Sequence, residues 1–140
     1  MNELIEQLRL HEGVRSKVYL CSEGYETIGV GRNISDSGIG LSDDEIAYLL
    51  ANDIARCEHE LAERYPWFDD LDPVRQDALV DMAFNLGITR LGQFQNMIGA
   101  LSEGRFDDAA AEALDSKWAR QVGQRAQTVA AMIRTGERQL

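Results

Sequence analysis

Only one stretch of this sequence, residues 17–35, has the character of β-structure, and that limits the folds open to the chain. Val18, Tyr19, Tyr25, Thr27, Ile28 and Val30 are strand formers, and Gly24, Gly29 and Gly31 cut them into short runs. The pattern predicts antiparallel strands near 17–20, 25–28 and 31–35, joined by tight turns. The rest of the chain reads as helix. The fold class is therefore α+β: a small N-terminal lobe with a short antiparallel sheet, a long connecting helix and a larger helical C-terminal lobe.

Leu4, Ile5 and Leu8 recur at helical spacing behind Asn2, a competent N-cap, and Gly13 stops that helix after residue 12. Residues 36–40 form a loop. Ser42 with Glu45 three residues on is a capping box, and Ile46, Leu49, Leu50, Ile54 and Leu61 carry one helix from there to about Arg64. At ~1.5 Å per residue it spans roughly 33 Å, long enough to tie two lobes together. Asp72-Pro73 opens a strongly apolar helix that runs to Gly87. A further helix runs from Leu91 to Leu101 and ends near Gly104, another covers 106–114, and Trp118 lies in a short turn. The last helix carries Ala126, Val129, Ala130 and Ile133 and stops at Gly136. The chain is one domain, 1–140, with lobes at about 13–50 and 65–140 plus the N-terminal helix 2–12.

Composition narrows the function. The net charge is −10, from 24 acidic against 14 basic residues, which argues against a nucleic-acid partner because that needs a basic footprint. No apolar run is long enough to span a bilayer, so no membrane insertion is expected. The opening residues lack the basic and apolar regions of a signal peptide, so synthesis and residence in a cytoplasm are expected. Cys21 and Cys57 are too few and too irregular for a disulfide framework, and in a reducing compartment both are expected as free thiols. A bridge between them is left open, because spacing cannot fix connectivity. Cys57 and His59, two apart on a helix, do not share a face and make a poor metal pair, so no metal is expected. The glycine-rich run 24–31 is not a phosphate loop, since strands follow it and no Lys-Ser or Lys-Thr pair closes it.

The first helix ends on His11-Glu12-Gly13, which sets a carboxylate at a helix terminus next to the sheet. Beyond it come Lys17-Val18-Tyr19, Glu23-Gly24-Tyr25 and Thr27-Ile28-Gly29-Val30-Gly31. Together these resemble the signature of the phage-type lysozymes, glycoside hydrolase family 24. The resemblance continues through Leu71-Asp72, Val74-Arg75, Ala78-Leu79, Met82 and Phe84-Asn85-Leu86-Gly87. It ends on Phe94, Asn96, Trp118, Gln124-Arg125-Ala126 and Arg134-Thr135-Gly136, so it covers nearly the whole chain. It implies a lysozyme-like fold, with the peptidoglycan glycan strand as partner in a cleft between the lobes. It also implies hydrolysis of the β-1,4 bond between N-acetylmuramic acid and N-acetylglucosamine, a reaction for which no cofactor is expected. The protein is then expected to be a monomer that stays in the host cytoplasm until a holin lesion admits it to the wall.

The family's catalytic set is a glutamate, a residue nine positions later that is usually aspartate, and a threonine six further on. Carried over, these are Glu12, Cys21 and Thr27. Glycosidic cleavage needs an acid for the leaving oxygen and a second group that assists attack on the sugar. An aspartate, with a pKa near ~3.9, is ionised at neutral pH, whereas a thiol near ~8.5 is ionised by only a few per cent. Three readings of Cys21 stay open. Its thiolate acts as base or nucleophile; or Glu12 and Thr27 suffice; or hydrolysis is lost and the site only binds glycan. Glu23 and Glu26 nearby are expected to raise the thiol pKa.

The resemblance also places Asn33, Phe84, Asn85, Met97, Glu112 and Lys117 at glycan-contacting positions, with Asn33, Met97, Glu112 and Lys117 differing from the family's usual residues. Arg125 matches the arginine that the family sets against its glutamate. A lytic transglycosylase using Glu12 without a water-activating partner is the alternative enzyme. A catalytically dead glycan-binding protein is the alternative of another class.

Overall fold

A computed structural model describes residues 2–139 of the chain. They form two compact units, Met1–Leu49 and Leu50–Leu140, and the helix Asp43–Arg64 runs through the boundary between them.

In the first unit, helix α1 (Asn2–Glu12) ends where Gly13 takes φ +77° and its N–H bonds to the Arg9 carbonyl at 2.9 Å. Strands β1 (Arg15–Leu20), β2 (Glu26–Gly29) and β3 (Arg32–Asn33) then pair antiparallel in that order. β2 is central: Thr27 faces Tyr19 on one side and Asn33 on the other. The sheet stands where the sequence put it, with two differences at its edges. β1 begins two residues early, with an irregularity in its register between Arg15 and Tyr19. β3 stops at Asn33 rather than running on to Ser35, because the Asn33 Oδ1 accepts from the Ser35 N–H at 2.9 Å and the Ser35 hydroxyl at 2.6 Å. That side-chain turn competes with the strand ladder.

Helix α2 (Asp43–Arg64) starts on the predicted capping box. The Ser42 N–H donates to Glu45 at 2.8 Å, and the Glu45 N–H donates to the Ser42 hydroxyl at 3.3 Å. Glu45 also receives Arg32 at 2.7 Å, and the same nitrogen of Arg32 reaches the Gly40 carbonyl at 2.9 Å. Arg32, then Ser42, hold the Glu45 carboxyl down to about 2, so the bridge from β3 to α2 stays ionised across the neutral range.

The second unit carries the apolar core. Its largest fully buried side chains are Leu61, Leu79, Met82, Leu91, Met97, Val129 and Ile133. Helix α3 (Pro73–Leu86) is the apolar helix expected behind Asp72, whose carboxylate accepts from the Arg75 N–H at 3.1 Å. A 3-10 turn at Pro66–Asp70 precedes it, which the sequence pattern did not announce. The single helix expected from Leu91 is two: α4 (Ile88–Leu91) and α5 (Gln95–Ser102). Between them the chain tightens into a turn, with the Phe94 N–H on the Leu91 carbonyl at 3.0 Å. Helices α6 (Phe106–Leu114), α7 (Lys117–Val122) and α8 (Gln124–Thr135) follow, and α8 packs on both α3 and α6. No helix among the described residues is long and apolar enough to cross a membrane.

Arg75 fastens this unit. Its guanidinium donates to the carbonyls of Ile133 at 2.6 Å and Arg134 at 3.0 Å, and to Asp72 at 2.9 Å. It also lies over the Phe106 ring, 3.7 Å from the centroid. The last carbonyls of a helix have no partner within it, so a partly buried cation there answers a need that α8 cannot meet itself. Gly136, at φ +70°, leaves the room: a Cβ there would stand 2.9 Å from the guanidinium. Arg75→Ala is expected to destabilise the protein by about 2–4 kcal/mol in urea unfolding, as several charge-assisted bonds are lost together. Arg75→Lys recovers little of this, because an ammonium cannot reproduce the planar fork. Full recovery by lysine would contradict the forked role.

Candidate active site

Glu12 is the last residue of α1, and the +77° turn at Gly13 sends the chain straight into β1. Its carboxylate lies against Gly31 in the β2–β3 turn: a Cβ built on Gly31 would fall 2.7 Å from Glu12 Oε2. Cys21 follows β1 at the other end of the same sheet. There the Cys21 N–H donates to the Tyr25 carbonyl at 3.0 Å, and the Gly24 N–H donates to the Cys21 carbonyl at 2.8 Å. Thr27 stands on β2 between these turns. It is 3% exposed and is the buried polar side chain among the described residues. Its hydroxyl donates to the Tyr25 carbonyl at 2.8 Å, which satisfies a group that would be costly to bury unpaired. Of the three residues that the sequence singled out as catalytic, Thr27 thus lies on the sheet, Cys21 lies just past the end of β1, and Glu12 ends α1 with its carboxylate against the β2–β3 turn.

The electrostatics of Cys21 differ from the sequence expectation. The thiol is held below its ordinary value, first by the backbone amide of Tyr25 and then by that of Glu23. Desolvation opposes them, the Thr27 hydroxyl adds to them, and the Glu23 charge opposes last. Expecting the neighbouring acids to dominate was therefore wrong. Amides aimed at the sulfur from a tight turn outweigh an exposed carboxylate whose field water screens. The Thr27 proton bonds to Tyr25 in the present geometry, and rotation about the C–O bond can redirect it to a thiolate. Cys57 is the opposite case, buried in the core with its thiol pushed up by desolvation. The sequence expectation of free thiols holds for both cysteines in the structure.

The expected glycan contacts divide into several groups. Asn33 uses its carbonyl oxygen on Ser35, which leaves its amide NH2 to donate elsewhere. In the second unit, Phe84 is 46% exposed, and Asn85 accepts from Trp118 Nε1 at 2.8 Å. Trp118 in turn meets the Phe94 ring edge-on at 6.2 Å. Glu112 and Lys117 line a cavity of about 330 Å³ together with Phe94, Asn96 and Trp118. Met97 also borders that cavity, but at 1% exposure its side chain belongs to the core. Arg125 is held by α3, bonding to the Asp81 carboxylate at 2.7 Å and the Asp81 carbonyl at 3.2 Å. Sequence reading missed Asp81 as that partner, since nothing local marks a contact 44 residues away. Among the described residues, no three His, Cys, Asp or Glu side chains gather as a metal ion would need.

A family model described as phage lysozyme matches residues 9–136. The pre-baseplate central spike protein Gp5 of Enterobacteria phage T4 is 30% identical, over 95% of this chain but only 28% of the spike protein's own length. Two proteins of Dictyostelium discoideum, named "Probable T4-type lysozyme 1" and "Probable T4-type lysozyme 2", are each 24% identical over 97% of this chain and 96% of theirs. With a small antiparallel sheet, a helix-end glutamate and a helical second unit, the class is that of the lysozyme-like glycoside hydrolases. The chain belongs to the phage lysozyme family.

The lowered thiol carries a direct expectation. Thiolate is the species that alkylates, so Cys21 reacts with iodoacetamide along a pH curve whose midpoint lies below that of a free cysteine peptide. Cys57 stays unreactive until the protein unfolds. Peptide mapping by mass spectrometry across a pH series separates the two sites. A Cys21 midpoint at or above the free-peptide value would contradict the hydrogen-bonded arrangement.

Proposed function

We propose that this chain hydrolyses the β-1,4 bond between N-acetylmuramic acid and N-acetylglucosamine in peptidoglycan, with Glu12, Cys21 and Thr27 as its catalytic residues. The observation that carries the reading lies in the first unit. A thiol lowered by backbone amides and by Thr27 shares one sheet with the turn against which the Glu12 carboxylate rests. Membership of the phage lysozyme family supports the substrate class.

In this reading Glu12 donates its proton to the glycosidic oxygen as the bond to the muramic acid C1 breaks. A water placed by the Thr27 hydroxyl attacks C1 and gives its proton to the Cys21 thiolate. The products are a free reducing muramic acid end and a glucosamine 4-hydroxyl. Proton exchange with solvent then returns Glu12 to the acid and Cys21 to the thiolate. The reading takes the arrangement in which acid and base stand about 6.5–9.5 Å apart with a water between them, rather than direct attack across about 5 Å. Asn33, Phe84, Asn85, Glu112, Lys117 and Arg125 are proposed to contact glycan, and Met97 is left out because it is buried. The biological role proposed is host-cell lysis, with a holin-type lesion giving access to the wall.

Clearance of a peptidoglycan suspension by four proteins tests this reading. Glu12→Gln is expected to lose about 100- to 10,000-fold in rate, the usual share of a general acid. Cys21→Ser loses most activity, because serine supplies no anion near neutral pH, while Cys21→Asp keeps it. Alkylation abolishes the wild type and spares Cys21→Asp. Full activity in Glu12→Gln would overturn the proposal, and indifference of the wild type to alkylation would remove Cys21 from the catalytic set.

A further inference from the structure

Three glycines between the end of β1 and the start of β3 have positive φ: Gly24 at +85°, Gly29 at +70° and Gly31 at +68°. All three meet a backbone need that side-chain-bearing residues satisfy poorly. Their surroundings differ. A Cβ on Gly24 or Gly29 would meet nothing within 4 Å. A Cβ on Gly31 would lie 2.7 Å from Glu12 Oε2, 2.9 Å from Cδ and 3.1 Å from Cγ. The Glu12 carboxylate therefore occupies the space that any side chain at position 31 would claim.

We infer that Gly31 is a positioning residue for the catalytic acid, keeping open against the sheet the space in which the Glu12 carboxylate sits; this rests on the proposed role of Glu12. The atoms that would be struck are the far end of a flexible side chain, not backbone. A methyl group at position 31 is thus accommodated by swinging the carboxylate aside, with little further disturbance to the fold. The consequence is a separation of effects. Alanine at 29 and alanine at 31 impose the same backbone strain, but only the second displaces a reacting group. A displacement on the order of 1 Å is enough to cost about 100-fold in rate, because proton donation depends on alignment.

Gly29→Ala and Gly31→Ala form the test, with Glu12→Gln beside them. Gly29→Asn and Gly31→Asn are held in reserve, since asparagine is the side-chain-bearing residue that best tolerates positive φ. Thermal unfolding and steady-state kinetics on soluble, uncross-linked peptidoglycan are measured for each. The two alanine proteins are expected to melt at the same temperature, below wild type. Gly31→Ala is expected to fall about 100-fold below Gly29→Ala in kcat, with KM unchanged. If either alanine protein fails to fold, the asparagine pair gives the same comparison. Equal kcat at positions 29 and 31 with an inactive Glu12→Gln overturns the role of Gly31 and leaves the catalytic reading standing. So does a loss confined to KM. Activity in Glu12→Gln sinks the catalytic reading itself.

Discussion

Pairing of β2 along both of its edges is the interaction on which the first unit depends. Among the described residues, the buried apolar residues that form the core lie in the second unit, and the buried side chain in the first is a threonine. The first unit is therefore held by directional bonds: the β1–β2–β3 ladder, the Asn33 turn, and Arg32 joining Gly40 and Glu45. Each hydrogen bond contributes about 0.5–1.5 kcal/mol net, against about 1.5–3 kcal/mol for burying one large apolar side chain. A unit built this way gains geometry more than stability. It fixes which atoms face which, as acid–base chemistry requires, while the helical unit supplies the bulk of the burial.

The same directional bonds decide the chemistry of Cys21. A thiol in place of a carboxylate starts with too little anion, and the acids around it push further in the wrong direction. The turn following β1 reverses that balance with the backbone amides of Tyr25 and Glu23, in a turn closed by the Cys21 N–H on the Tyr25 carbonyl and the Gly24 N–H on the Cys21 carbonyl. Thr27 belongs to the same construction. Its hydroxyl is buried, it is satisfied by the carbonyl of Tyr25, and rotation alone brings it to the sulfur. A backbone conformation thereby does work that a neighbouring cation does in many other reactive thiols.

How much of this was legible in the sequence follows from the range of each interaction. The sheet, the capping box at Ser42 and Glu45, the stop at Gly136 and the proline-led start of α3 are written in neighbouring residues, and they appear where expected. The division of one predicted helix into α4 and α5 was not, because Leu91, Phe94 and Met97 keep an apolar rhythm through the turn that separates them. Met97 looked like a glycan contact by position, and its burial becomes visible only once α5 packs into the core. The lowered Cys21 thiol needed the turn geometry, since residue types alone gave the wrong sign. Gly31 was recognisable as a turn glycine, but its closeness to Glu12 joins residues 19 apart and leaves no local trace.

The measurement that bears most directly on the central claim is the chemistry of the new chain ends. Purified peptidoglycan digested to completion, reduced with borohydride and analysed by mass spectrometry reports which bond broke and how. Fragments ending in reduced N-acetylmuramic acid are the expected result, since water has to add at the muramic acid C1. Anhydro-muramic ends would mean that no water was delivered, against the role given to Cys21 and Thr27. Undigested material would mean that the unit carrying Glu12, Cys21 and Thr27 does not carry out hydrolysis.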